Sequence, residues 1–216
     1  GASGRKHERS FCSACVEAKL RVSISRLPPR RPATRPLQRV HFDLSPKIPV
    51  IGCRGEVGFL LIVDEFTGKY FVYFVRSKSD VAGIMREFTA MAERHFATSL
   101  GSLSIPHKLS SMRSDGAGEN LSPEMVAWCK AEGVVHEISS PYSQWQNGRV
   151  ERAMQTVWQG AEATRLAANA PEYMWPYALL NFVQVRNLLP TSSGVSPDES
   201  WHSYREPLER RLAAAR

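Results

Sequence analysis

The stretch GFLLIVD, residues 58–64, constrains the fold of this chain more than any other. Phe59 to Val63 follow one another without a polar residue, and Ile62 and Val63 are β-branched. A strand with one wet face alternates apolar and polar side chains, whereas a continuous apolar run reads as a strand covered on both faces. The next segment, GKYFVYFVRS, also reads as a strand, and the short DEFTGK between them has the composition of a hairpin turn. A hairpin with one doubly covered strand requires helices on both sides of its sheet, and the chain supplies them further on.

Upstream, LQRVHFDLS alternates, with Val40, Phe42 and Leu44 on one side, as a first strand should. After the hairpin the period changes. Val81, Ile84, Met85, Phe88, Met91, Ala92 and Phe96 recur at helical spacing. HKLSSMRSD gives a short fourth strand ending at Asp115, LSPEMVAWCKAEG a helix closed by Gly133, and VVHEIS a fifth strand. Val150, Met154, Val157 and Ala161 then mark one face of a long helix, and EYMWPYALLNFVQVRNLL a further one with Pro176 early in it. Three successive strands, then alternating helices and strands, then helices, predict a five-stranded mixed α/β sheet flanked by helices.

Charge divides the chain differently. Residues 1–39 carry ten Lys/Arg against Glu8 and Glu17, a net of +8, so the other residues sum to −1 out of the total of +7. RLPPRRPATRP, residues 26–36, holds four prolines and four arginines and reads as an extended linker. A basic arm on a nearly neutral body points to a polyanionic partner; a solvated tail without a partner is the competing reading. No apolar run approaches the ~20 residues of a membrane-spanning helix. Four cysteines in 216 residues make no disulfide framework. The start at Gly1, with no visible signal peptide, reads as a fragment or a processed product.

The opening of the long helix, PYSQWQNGRVERA, residues 141–153, poses the functional question. Glu151 lies in the first helical turn, where the helix dipole alone favours an acid. Asp43 lies in the first strand and Asp115 just after the fourth, where an Asp often only caps a turn. Acids at strand ends and on one helix are also what phosphodiester chemistry assisted by two Mg²⁺ ions uses, because the ligands need not be neighbours in sequence.

The local words around these acids carry a resemblance. VHFDLSP, FLLIVDEFTGKYFVYFVRSKSD, MRSDGAGEN, SPYSQWQNGRVER and WPYALLNFVQVRNLLPTS together resemble the catalytic core of retroviral-type integrases, most closely the copia class of long-terminal-repeat retrotransposons. The resemblance spans roughly residues 11–207, and FCSACVEAKL looks like the end of the zinc-binding region preceding that core. It implies an RNase H-like fold and a polynucleotidyl transferase that joins element DNA ends to target DNA. It assigns the ligands of two Mg²⁺ (or Mn²⁺) ions to Asp43, Asp115 and Glu151, with Asp43 touching both. It also implies a homo-oligomer acting on double-stranded DNA in the nucleus, made in the cytoplasm as part of a polyprotein. The corresponding organisation is a basic arm over residues 1–36, a core over 37–190 and a C-terminal extension over 191–216. The chain departs from the family pattern at Gly116-Ala117-Gly118, where Asn-Gly-Gly is usual, at Asn120, where an aromatic is usual, and at Trp145 and Arg149. An RNase H-like nuclease that only hydrolyses, and an inactive or domesticated DNA-binding protein, remain alternatives.

Other residues give lesser signals. Gln146, Asn147, Arg149, Arg152 and Gln155 surround the third acid and are candidate DNA contacts; Trp158, on the Glu151 face, reads better as core. Cys12 and Cys15 have zinc-ligand spacing, with His7 a conceivable third ligand, but a closed site needs four, so zinc is not expected in this chain. Cys53 and Cys129 read as ordinary small residues. Asp64 reads as a turn former before a fourth acid, and Glu119 is either a brace for the second motif or simply exposed.

Overall fold

A computed structural model describes residues 32–99, 107–115, 122–138 and 148–204. Strands β1 (Arg39–Leu44), β2 (Gly58–Asp64), β3 (Tyr70–Val75), β4 (Ser111–Ser114) and β5 (Val135–Ile138) form one sheet in the order β3-β2-β1-β4-β5. The first three pair antiparallel, while β4 runs parallel to β1 and β5 parallel to β4. Each parallel step needs a crossover, and helices α1 (Asp80–Ser99) and α2 (Pro123–Glu132) supply them. Helices α3 (Gly148–Ala167), α4 (Trp175–Leu188) and α5 (Pro197–Ser203) follow.

The continuous apolar run is buried throughout, as expected for a central strand. Leu60 and Ile62 join Val40, Phe42 and Met112 under α1 and α2, while Phe59, Leu61 and Val63 pack against Val150, Val157 and Ala161 of α3 and Leu179 and Val183 of α4. Each large aliphatic side chain fully withdrawn from water stabilises the fold by roughly 1.5–3 kcal/mol, so β2 serves two cores at once. α1 begins where the Asp80 carboxylate accepts from the Arg76 and Ser77 amides. α2 is capped by Ser122, whose hydroxyl accepts from the Met125 amide, and ends at Gly133 with φ 68°, a left-handed position that favours glycine.

Three sequence expectations shift. Met91 is 43% exposed, off the buried stripe of α1, whose inner face is completed by Ala82 instead. On α3, Ala153 rather than Met154 is fully buried, because the small side chain allows close approach to the sheet. The last long helix is divided: Glu172–Met174 is a 3-10 turn and the α-helix starts at Trp175, with Pro176 in its first turn where no amide partner is needed. Trp201 of α5, in the segment read as a C-terminal extension, is 2% exposed and belongs to the same core as Val40 and Phe42.

Candidate active site

Strand parity and register place the acids. Val40 and Phe42 face one core, so Arg39, His41 and Asp43 project to the other side of β1. That is the side of Leu61, the partner of Asp43 in β2, and Leu61 packs with Val150 of α3. β1 and β4 pair with His41 opposite Arg113. Two residues further along both parallel strands, Asp115 follows β4 beside Asp43. Glu151 is the next residue along α3 after buried Val150 and is itself exposed.

Asp43 and Glu151 line one cleft of about 490 Å³, together with Lys47, Met154, Gln155 and Trp158. Asp115, at the end of the neighbouring strand, is half-buried and does not line that cleft. Among the described residues, no three His, Cys, Asp or Glu side chains are gathered closely enough to hold a metal ion. The structure therefore joins the first and third acids in one cleft and sets the second at the adjoining strand end. Gln155 shares the cleft, and Trp158 stacks on Phe59 at 6.3 Å with the rings 13° apart, in keeping with a packing role. Arg149 and Arg152 are exposed in the first turn of α3. His7, Cys12, Cys15, Glu119, Trp145, Gln146, Asn147 and the Gly116–Gly118 motif lie outside the described residues.

Asp64 has the other role expected of it. Its Oδ1 accepts from the Thr67 amide and hydroxyl, both at 2.8 Å, and its Oδ2 accepts from the Leu37 amide at 2.9 Å. It is fully buried, holding the β2–β3 turn to the chain that enters β1. Burial pushes its carboxyl above the usual range, against the pull of those hydrogen bonds and of the Arg149 charge.

Sequence reasoning missed a chain of charges beneath the acids. Glu65 Oε2 lies 2.9 Å from His41 Nε2 and 3.3 Å from Arg39 Nη1. Arg39 Nε also reaches Glu137 at 3.0 Å, and Glu137 pairs with Arg113. Glu65, Arg39, Arg113 and Glu137 thus join the turn after β2 to β1, β4 and β5 along the face that carries Asp43. Burial alone would raise the Glu65 carboxyl, but hydrogen bonds from His41 and the Ala33 amide, with the His41 and Arg39 charges, bring it down to about 2. Glu137 is lowered as well: Arg113 and Arg39 outweigh its desolvation.

No family model matches the chain. Over 188 residues, 87% of its length, it is 26% identical to the retrovirus-related Pol polyprotein from transposon TNT 1-94 of Nicotiana tabacum. It spans about a tenth of the length of the curated relatives it matches. A chain of the simian T-cell lymphotropic virus intasome, solved in complex with PP2A regulatory subunit B56 gamma, superposes with a TM-score of 0.64 at 18% identity, covering 82% of this chain and 58% of that one. The HTLV-2 integrase catalytic core domain in complex with magnesium, in a trimeric form, gives 0.54 at 18% identity, covering 78% of this chain and 99% of that one. The fold is the RNase H-like fold of integrase catalytic cores. The RNase H-like sheet expected from the resemblance is therefore the one observed, five mixed strands with helices on both faces. Its relatives in sequence include retrotransposon Pol polyproteins of Nicotiana tabacum and Arabidopsis thaliana.

Proposed function

We propose that this chain is the catalytic core of a copia-class retrotransposon integrase, which joins the ends of element DNA to a target duplex. The observation that carries the reading is the shared cleft of Asp43 and Glu151, with Asp115 at the adjoining strand end. The donor set suits hard cations, since carboxylate oxygens are what Mg²⁺ or Mn²⁺ takes from protein. Asp43, Asp115 and Glu151 would hold two such ions. When bound, the ions activate the attacking oxygen and stabilise the charge on the leaving oxygen.

In this reading, the 3′-hydroxyl oxygen of an element end forms a bond to a target phosphorus as the bond to the target's own 3′-oxygen breaks. One phosphodiester replaces another, and no external energy source is required. The chain's own contribution is placement. α3 packs through Val150 against Leu61 of β2, the strand partner of Asp43 in β1, and this packing sets the Glu151 and Asp43 carboxylates on one cleft. Lys47 on the cleft wall supplies a positive charge for a phosphate, and Gln155 an uncharged hydrogen-bonding group. Two DNA ends joined in one event call for more than one subunit, so the reading includes a homo-oligomer. It also includes action in the nucleus after synthesis within a polyprotein.

The test is joining of a labelled terminal-repeat oligonucleotide to plasmid DNA in Mg²⁺. Asp43→Asn, Asp115→Asn and Glu151→Gln should each abolish joining while circular dichroism stays unchanged. A folded Asp43→Asn protein with full activity removes the three-acid assignment. Cleavage of DNA without joining in the wild type favours a hydrolytic nuclease instead.

A further inference from the structure

A second cavity lies on the far side of the first turn of α3. Arg149 and Glu151 are two residues apart, so they stand about 200° apart around the helix. Glu151 borders the acidic cleft, whereas Arg149 borders a cavity of about 290 Å³ enclosed by the β2–β3 turn, the end of α4, residues 191–195 and α5. Arg186 of α4 enters the same cavity, with its guanidinium 5.4 Å from the centre of the Tyr70 ring. Gly68, at φ 70°, takes the left-handed position that the β2–β3 turn requires, and the Arg149 guanidinium lies beside it.

The nearby acids are already engaged. Asp64 accepts from Thr67 and Leu37, and Asp198 pairs with Lys69. Among the described residues, neither Arg149 nor Arg186 forms an ion pair with a carboxylate. The hydroxyls in the wall are mostly engaged too. Thr67 donates to Asp64, and Thr191 bonds to Ser193 and to the Val195 carbonyl. Ser200 lines the same cavity as the two guanidiniums and brings a hydroxyl to it. Two guanidiniums and a hydroxyl donor around a small concave space, with no carboxylate in its lining, form a receptor for one tetrahedral oxyanion.

We propose that this cavity binds a backbone phosphate of a nucleic-acid strand, so that the strand passes over the N-terminus of α3 between the basic cavity and the acidic cleft. The proposal rests on the reading of the chain as a DNA-joining enzyme and adds a phosphate-binding site to it. Guanidinium forks take two phosphate oxygens each in a fixed plane, so the site fixes the register of the strand rather than reading its bases.

The experiment measures binding of a fluorescent duplex by the full chain, without divalent metal, across a range of salt. Wild type is compared with Arg149→Gln, Arg186→Gln and Lys130→Gln; the last removes an exposed charge from α2, across the sheet. One phosphate contact contributes about 0.9 to the slope of log K against log salt on duplex DNA. Arg149→Gln and Arg186→Gln should each lower the slope by about that amount and weaken binding roughly tenfold at low salt. Lys130→Gln should leave both unchanged. Equal slopes in all four proteins, or equal losses in all three variants, would overturn the proposal. Inorganic phosphate is a second probe. If it raises the melting temperature of wild type but not of Arg186→Gln, while the DNA slopes stay equal, the cavity takes a free anion and the strand proposal fails. The parent reading is judged separately by joining activity. Slope losses in a protein that joins no DNA would leave the phosphate site standing and remove the integrase, whereas joining with equal slopes would do the reverse.

Discussion

Glu65→Gln separates the worth of the buried charge network from the rest of the core. Glu65 accepts from His41, Arg39 and the Ala33 amide, and its side chain is 4% exposed. Its carboxyl lies at about 2 in the fold against 4.5 for the ordinary group, a difference of about 2.5 (4.5 − 2). At 1.36 kcal/mol per unit, the charged form gains about 3.4 kcal/mol from its surroundings. Arg39 is partly open to water, which screens its share, so about 2–3 kcal/mol is the expected loss at pH 7. The amide keeps one acceptor for Arg39 and Ala33 and presents N–H groups to His41, so the fold should survive. The sign follows from the lowered value: the stabilisation is complete above pH 4.5 and is lost as pH falls through the interval down to about 2. By pH 3.5 the unfolded carboxyl is largely protonated while the folded one is not, which removes about 1.4 kcal/mol. Urea unfolding of both proteins at pH 7 and 3.5 reads the gap between them. A gap that is the same at the two pH values would refute the account of Glu65 as a charge stabilised by its partners.

Two further predictions concern the arm and the turn. Removing residues 1–31, which spares Leu37 of the core and Arg39 of β1, should flatten the salt dependence of DNA binding, because eight of the 28 basic residues lie there; equal slopes for the truncated and full chains would show that the arm takes no part. Asp64→Asn should cost about 1–3 kcal/mol in urea unfolding, since the amide group must face a buried donor from either Thr67 or Leu37. Joining per folded molecule should be retained.

Much of this fold is legible in the sequence, because its signals are local. The apolar run at 59–63, the alternation at 40–44 and the change to helical spacing after residue 80 each depend on one segment alone. The position of Glu151 was legible for the same reason: it follows buried Val150 by one residue, which sets it at the rim of the packed face. The network of Glu65, His41, Arg39, Glu137 and Arg113 was not legible. Its members are up to 98 residues apart, and only the pairing of β1 with β2 and β4, and of β4 with β5, makes them neighbours. Residue type gave no warning, since Arg39 and Glu137 look like ordinary solvated charges until the strand order is known. The partial burial of Met154 and the exposure of Met91 belong to the same class, because helical spacing defines a stripe but the partner helix decides where its edge falls.

Asp43 and Asp64 show how two carboxylates on adjacent strands are given different work. They lie three register steps apart, since Asp43 pairs with Leu61 and Asp64 with Val40, and an odd step places them on opposite faces of the sheet. Asp64 is on the face of Val40, sealed in by the segment entering β1, where both its oxygens accept from buried donors. Nothing in that position admits a ligand, and burial disfavours its charge. Asp43 is on the face of α3 and borders the cleft that Glu151 also borders. The charge network lies between these two environments and supplies what the open face lacks. His41 and Arg39, one and two strand pitches below Asp43, are held by Glu65 after β2 and, for Arg39, by Glu137 of β5, so the strand beneath the cleft is tied by charge to the turn after β2 and across β4 to β5. Of this pair, Asp64 is sealed in the core and only Asp43 borders a cleft.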